Sequence, residues 1–258
     1  MRDPGLSEAI RAAGGVGELA RQIGISQPSV SNWIRVPAER VVSVEAVTGV
    51  DRAILRPDLY GGRQEAGDIG EIDAARAQEY ALLAILLMRA PDSTLLAKLS
   101  RLRADASPLG LAHAALAEAA EKAAVERVER EFFDLFIGIG RGELLPYGSY
   151  YLTGFLHERP LARLREDLAR IGIARAEGVA EPEDHAGILC EIMSGIASRR
   201  LPAPPNSDQL IFDKHMAPWI GRFFIDLENA EAASFYKSVG ALGRVFMNIE
   251  TEAFELPA

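Results

Sequence analysis

Apolar residues recur at helical spacing along almost the whole chain. Leu6, Ile10 and Ala13 share one face of a first short helix, and Val16, Leu19, Ala20 and Ile23 one face of a second. Gly24 breaks the second helix and Ile25 plugs the turn into the core. Ser26 then serves as N-cap of a third helix with Pro28 in its first turn. Val30, Trp33 and Ile34 are expected to face inward, which leaves Gln27, Ser29, Ser31 and Asn32 outside. A further helix through Val44 and Val47 runs towards Arg56–Tyr60. Residues 61–70, GGRQEAGDIG, have no periodicity and read as a flexible linker.

From Glu71 the helical period returns. It predicts helices over Ala74–Met88, Thr94–Leu102 and, without a break, Leu111–Asp134. Glu131, Phe132, Leu135 and Phe136 would bury one face of that last helix before Gly138, Gly140 and Gly142 stop it. Pro146 opens a second helix, in which Tyr150, Tyr151, Leu152, Phe155 and Leu156 form another apolar stripe. Helices follow over Leu161–Ile171, within 177–196, around Phe223–Leu227 and over Ala230–Ala253, with a proline-rich loop at 199–210. No segment alternates in the manner of a strand, so the fold class is all-α. The division is a small domain at 1–60, a linker at 61–70 and a larger helical domain at 71–258.

Charge narrows the range of partners. The chain carries a net −9, which excludes a general nucleic-acid binder. Residues 1–60 hold seven Arg and seven Asp or Glu, so the remainder bears all the negative charge and suits a partner with basic groups. The single cysteine, Cys190, can form no internal disulfide, which fits a reducing compartment. No apolar run is long enough for a signal peptide or a membrane span, so a cytoplasmic protein with no membrane partner is expected.

The string GELARQIGISQPSVSNWI resembles Cro-type helix-turn-helix domains, and with the following residues through Tyr60 it resembles the YdaS-type family. In that arrangement Gln27, Ser29, Ser31, Asn32 and Arg35 meet the major groove, where Gln and Asn can pair with adenine. Arg21, Arg35 and Arg40 could reach phosphates. DNA is therefore a candidate partner, and a module that binds protein is the alternative. DNA-binding domains of this kind act as dimers, so a homodimer is expected.

Two stretches of the larger domain hold candidate chemistry: EFFDLFIGIGRGELLPYGSYYL at 131–152 and Glu181-Pro182-Glu183-Asp184-His185, which leads into an apolar helix with Glu191 and Met193. Asp184 and His185 are adjacent, and neighbouring helical residues point about 100° apart, so they make a poor catalytic pair. The other histidines, 113, 157 and 215, show no ligand spacing, so no metal is expected. An N-cap carboxylate with a half-buried His is the simple structural account. No residue constellation supports an enzyme or a cofactor, and residues 138–142 lack the Gly-Lys-Ser/Thr ending of a phosphate loop.

Both stretches resemble the TorD/DmsD family of redox-enzyme maturation chaperones, as does Phe212-x-x-His215-x-x-Pro218-Trp219. The run GRGELLPYGSYYLTGFLHERPLARLREDL resembles the branch associated with formate dehydrogenases. The resemblance implies a cytoplasmic chaperone, not an enzyme. Its client would be the catalytic subunit of a molybdoenzyme, together with that subunit's twin-arginine signal peptide. Phe132, Phe136, Tyr147, Tyr150 and Met193 would cover the apolar part of that leader. Glu131, Glu183 and Asp184 would meet its arginines, with Pro146, Ser149, His185 and Glu191 completing the site. The competing class is a transcriptional regulator whose helical domain senses a ligand or a protein.

Overall fold

A computed structural model describes residues 2–56, 69–175 and 181–255, apart from the side chain of Ala53. The chain divides into two compact units, 1–68 and 69–258. The expected Arg56–Tyr60 ending is described only at Arg56, and the expected linker only at Ile69 and Gly70.

In the first unit α1 (Pro4–Ala12), α2 (Val16–Gln22), α3 (Gln27–Ser31), α4 (Val41–Thr48) and α5 (Arg52–Leu55) close on Leu6, Leu19, Val30, Val41, Val44 and Leu55. Asp3 caps α1 through the Gly5 amide. The approach of α1 to α5 depends on Gly5, because a Cβ there would lie 2.2 Å from the Ile54 carbonyl oxygen. Arg56 donates to the Val36 carbonyl at 2.8 Å and ties the end of this unit to the loop after α3. Ile34 departs from expectation. Helix α3 ends at Ser31, three residues before it, so the helical register that would have buried Ile34 is lost and it is 70% exposed.

The second unit contains α6 (Glu71–Met88), α7 (Ser93–Leu99), α8 (Pro108–Glu121), α9 (Val125–Phe132), α10 (Gly148–Thr153), α11 (Arg159–Arg170), α12 (Ala186–Ala197), α13 (Ser207–Ile211), α14 (Ile220–Asn229) and α15 (Phe235–Glu255). The described residues contain no strand, and the architecture is all-α. Helix α12 lies along α6, and α15 packs on both α8 and α14. Tyr80, Leu83, Leu116, Leu189, Met193, Phe223, Phe224, Tyr236 and Leu242 form the centre. Arg76 lies across one end of it, bonding Glu250 at 2.8 and 2.9 Å and Asp208 at 3.1 Å. The Tyr80 hydroxyl donates to the same Glu250 at 2.8 Å, so no buried charge is left unmatched there.

The helix expected over Leu111–Asp134 is two helices. Ala124 is extended between them, and no Gly or Pro marks the break; Ala123 and Val125 pack against the core instead. Helix α9 then widens into a π-type turn over Phe133–Ile137, closed by the Gly138 amide on the Phe133 carbonyl at 2.7 Å. A second such turn, Phe212–Met216, carries His215. Turns of this kind often sit beside functional sites.

Candidate functional site

The two motif loops, far apart in sequence, are joined edge to edge. Tyr147 and His185 form an isolated antiparallel bridge. The Gly148 amide donates to the Asp184 carbonyl at 2.9 Å, and the Ala186 amide to the Pro146 carbonyl at 2.8 Å. The Asp184 side chain reinforces the seam, with Oδ2 accepting from the Ser149 amide at 2.7 Å. Gly148 is needed here for space: a Cβ would sit 3.0 Å from Trp219 Nε1. Trp219 is itself anchored on the His215 carbonyl at 2.7 Å, so the Pro-Trp element supports the seam from behind.

His185 caps α12. Its Nδ1 accepts from the Gly187 amide at 3.0 Å, which places the proton of the neutral ring on Nε2. Burial pulls the ring's pKa down to about 4, with Glu181 and Asp184 opposing weakly. The Tyr147 ring stands edge-on to it at 5.1 Å, and the Tyr147 hydroxyl donates to Glu181 at 2.5 Å. Burial first, then this carboxylate, pushes the Tyr147 hydroxyl's pKa up.

Two polar atoms at the seam lack a partner among the described residues. They are Asp184 Oδ1 and Ser149 Oγ, both buried. A buried carboxylate oxygen without a donor costs about 1–3 kcal/mol, more when charged. Asp184 is shared by the walls of two clefts. The first, about 370 Å³, is lined by Leu152, Arg163, Asp167, Arg170, Lys214 and His215 among others. The second, about 240 Å³, is lined by Tyr147, Ser149, Leu156, His157, Glu181 and Pro182.

In the first cleft Asp167 is the hub. It accepts from His215 Nε2 at 2.8 Å, pairs with Arg170 and lies 3.7 Å from Lys214 Nζ. Burial raises its carboxyl pKa, but the His215 bond and the nearby cations outweigh this and hold it below the usual range.

Several of the expected site residues are placed otherwise. Glu131 accepts from the Ser234, Phe235 and Tyr236 amides at 2.6, 3.1 and 2.6 Å, so it caps α15. Glu143 does the same one turn earlier for Glu231 and Ala232. Phe132 and Phe136 pack on each other and on Tyr236. Met193 is fully buried. All four therefore face inward: Glu131, Phe132 and Phe136 onto the start of α15, and Met193 into the core along α12. Glu183 is buried and already paired with Arg165. Glu191 is exposed on α12, and Tyr150 is half-buried with Arg141 over its ring at 6.0 Å.

The exposed apolar surface lies on the second apolar stripe, which spacing alone makes one continuous helix face. Helix α10 ends at Thr153 with Gly154 left-handed, so Phe155 and Leu156 leave the helix and are exposed, as is Leu152 in its last turn. Phe155 is 69% exposed, Leu152 lines the first cleft and Leu156 the second. His157 in the same loop holds φ at 62°, strain of the kind that collects at functional sites. The signal that was available in the sequence is Gly154, which stops the helix before the stripe can close.

In the first unit Gln27, Ser29, Ser31, Asn32 and Arg35 are all exposed on and just after α3. Arg21 pairs with Glu18, so it is not a spare cation. Arg2 donates to the Ser31 carbonyl at 3.3 Å and lies beside the same surface. Among the described residues no cluster of three or more His, Cys, Asp or Glu could hold a metal, and no helix is long and apolar enough to cross a membrane.

Residues 102–225 match the family model of the nitrate reductase delta subunit, and residues 6–64 that of the bacterial toxin YdaS. The chaperone protein TorD of Vibrio atlanticus is 24% identical over 132 residues, 47% of this chain and 61% of that protein. TorD of Shewanella loihica is 22% identical and covers 69% of this chain and 92% of its own length. A Haemophilus influenzae protein described as "Probable Tat proofreading chaperone DmsD" is 27% identical over 47% of this chain and 59% of that one. The chain thus spans about three fifths of the first curated relatives it matches.

Proposed function

We propose that the second unit is a maturation chaperone of the TorD kind. In this reading it holds the arginine-bearing leader, and with it the catalytic subunit, of a molybdenum-cofactor oxidoreductase in the cytoplasm. The observation that carries the reading is Asp184: a buried carboxylate with one oxygen unpartnered among the described residues, shared by two clefts that Leu152 and Leu156 also line, with exposed Phe155 between them in sequence. A leader has a basic start and an apolar middle. A guanidinium gives a buried carboxylate strong charge-assisted hydrogen bonds, and the apolar ledge offers the following residues a dry contact. No covalent step is involved. The run through Gly140–Leu168 makes a formate dehydrogenase the preferred client.

The test is capture of partners from the native cytoplasm with the tagged full-length protein, read by mass spectrometry. A molybdoenzyme large subunit as the main partner is the expected result. Its absence would end the chaperone reading and favour a regulator whose helical unit senses something else.

A second reading concerns the first unit. Its five groove-reading candidates are exposed together along one short segment, which favours duplex DNA as a ligand, bound by a dimer. The chaperone would then also act on transcription, with its client's operon as the natural target.

A further inference from the structure

The acidic loop at 181–184 already holds arginines, and they belong to this chain. Arg165 on α11 directs both Nε and Nη2 at Glu183 Oε2, at 2.9 and 2.8 Å. Arg175 donates from Nη2 to the Glu181 carbonyl at 3.2 Å. The Glu183 carboxyl is pushed up by burial, yet the Arg165 bond and the charges of Arg165 and Arg175 bring it below its ordinary value. So Glu183 is a guanidinium site in fact, with a guanidinium in it. One residue on, Asp184 Oδ1 is a second acceptor of the same kind, without a partner among the described residues.

We propose that Arg165 is an internal stand-in for one arginine of an incoming arginine pair, and that binding of the pair displaces it. This rests on the leader-binding reading above. One guest guanidinium takes the unpartnered Asp184 oxygen, and the other takes Glu183 in exchange for Arg165. The exchange is feasible because the two partners differ in burial. Glu183 is almost enclosed, whereas the Arg165 side chain is 49% exposed and returns readily to water. The guest gains most at Asp184, where an unpaired buried acceptor is satisfied. Until then Arg165 keeps the Glu183 carboxylate paired. Arg165 thereby sets the threshold for binding: it protects the empty site and competes with weak guests.

The sign of one substitution separates this role from that of a simple brace. The probe is a fluorescent synthetic peptide with two adjacent arginines ahead of an apolar stretch, titrated into the full-length protein and followed by anisotropy. Arg165→Gln should bind it about two- to fivefold more tightly than wild type, the range set by an exposed ion pair. Arg165→Lys should fall between them, since an ammonium makes a poorer match to the carboxylate. In wild type, the Arg165 Nε–H resonance should shift to its free position as peptide saturates the site. Equal or weaker binding by Arg165→Gln, with wild type binding normally, would overturn the displacement and leave the leader site standing. No binding by wild type or variant would remove both.

Discussion

Asp184 Oδ2 holds the Ser149 amide at 2.7 Å while its other oxygen, Oδ1, is buried with no partner. One side chain therefore closes the seam between two loops and keeps an acceptor in reserve. The two roles separate by substitution. Asp184→Asn can still accept from Ser149 but loses the charge. It should lower affinity for an arginine-pair peptide tenfold or more, a loss of about 1.4 kcal/mol or above, with little change in melting temperature. Asp184→Ala should also destabilise the second unit by about 1–3 kcal/mol, because the Ser149 amide is left buried and unpaired. Calorimetry together with peptide titration reads both effects.

Glu131 offers the opposite case. It was a candidate for meeting client arginines, yet its carboxylate is spent on three amides at the start of α15. Glu131→Ala should cost about 2–4 kcal/mol of stability, through loss of the cap and exposure of unsatisfied donors. At a temperature where the variant is folded, its peptide affinity should equal that of wild type. A weakened affinity with unchanged melting would return Glu131 to the binding surface.

Phe155 tests the apolar ledge. It is mostly exposed, so Phe155→Ser should leave thermal stability within about 0.5 kcal/mol. If the leader's apolar segment rests on it, peptide affinity should fall several-fold, by about 1–2 kcal/mol of lost burial. An unchanged Kd would remove the ledge from the site.

Two histidines should give opposite pH dependences. His185 has its pKa drawn down to about 4 from an ordinary value near 6.5. The unfolded chain therefore takes up a proton that the folded chain refuses between about pH 6.5 and pH 4. Stability falls through that window by up to about 3 kcal/mol. His113 is shifted the other way, first by its contact with Glu79 at 2.7 Å, with Asp105 adding to it. Its contribution is present in full below its unfolded pKa and is lost as pH rises through the raised folded value; its partial exposure keeps it small. Melting curves from pH 8 to pH 4.5 should flatten on the acid side for His185→Gln relative to wild type. The same curves should lose a small acid-side gain for His113→Gln. Parallel curves for all three proteins would contradict both assignments.

The DNA reading has its own check. A duplex from upstream of the client operon should shift at low salt with full-length protein, and Gln27→Ala with Asn32→Ala should abolish sequence preference. Failure of wild type to shift any duplex at low salt would leave the first unit a protein-binding module.

Most of the fold was legible because helical periodicity is a local signal. Val30 in the third helix, Tyr80, Leu83, Ala84 and Leu87, and Tyr236, Val239, Leu242 and Phe246 lie buried at helical spacing, while Val245 is half-buried and Ile249, on the same stripe, is 40% exposed. What periodicity could not show was where a helix changes gauge. The π-type turn at Phe133–Ile137 has no local residue that announces it, and although spacing put Phe132 and Phe136 on a buried face, it could not name Tyr236 as what they bury against. The same limit applies to the acidic candidates. The sequence locates Glu131, Glu183 and Asp184 as carboxylates beside the motifs, but their partners are 103, 18 and 35 residues away. Which of them stays unsatisfied is decided by tertiary contacts alone. Phe155 and Leu156 depart from the helical reading for a simpler reason: the stripe runs on past Gly154, where the backbone turns left-handed.

The seam at Tyr147 and His185 has a consequence for when the protein becomes competent. Its loops rest on Trp219, and the segment before them is pinned by Glu131 and Glu143 to the start of the last helix. A nascent chain therefore lacks the first cleft until Lys214, His215 and Trp219 have been made and have returned across the fold. Slow closure of such distant contacts makes the binding surface a late product of folding. A copy made only as far as the seam would then present an incomplete first cleft.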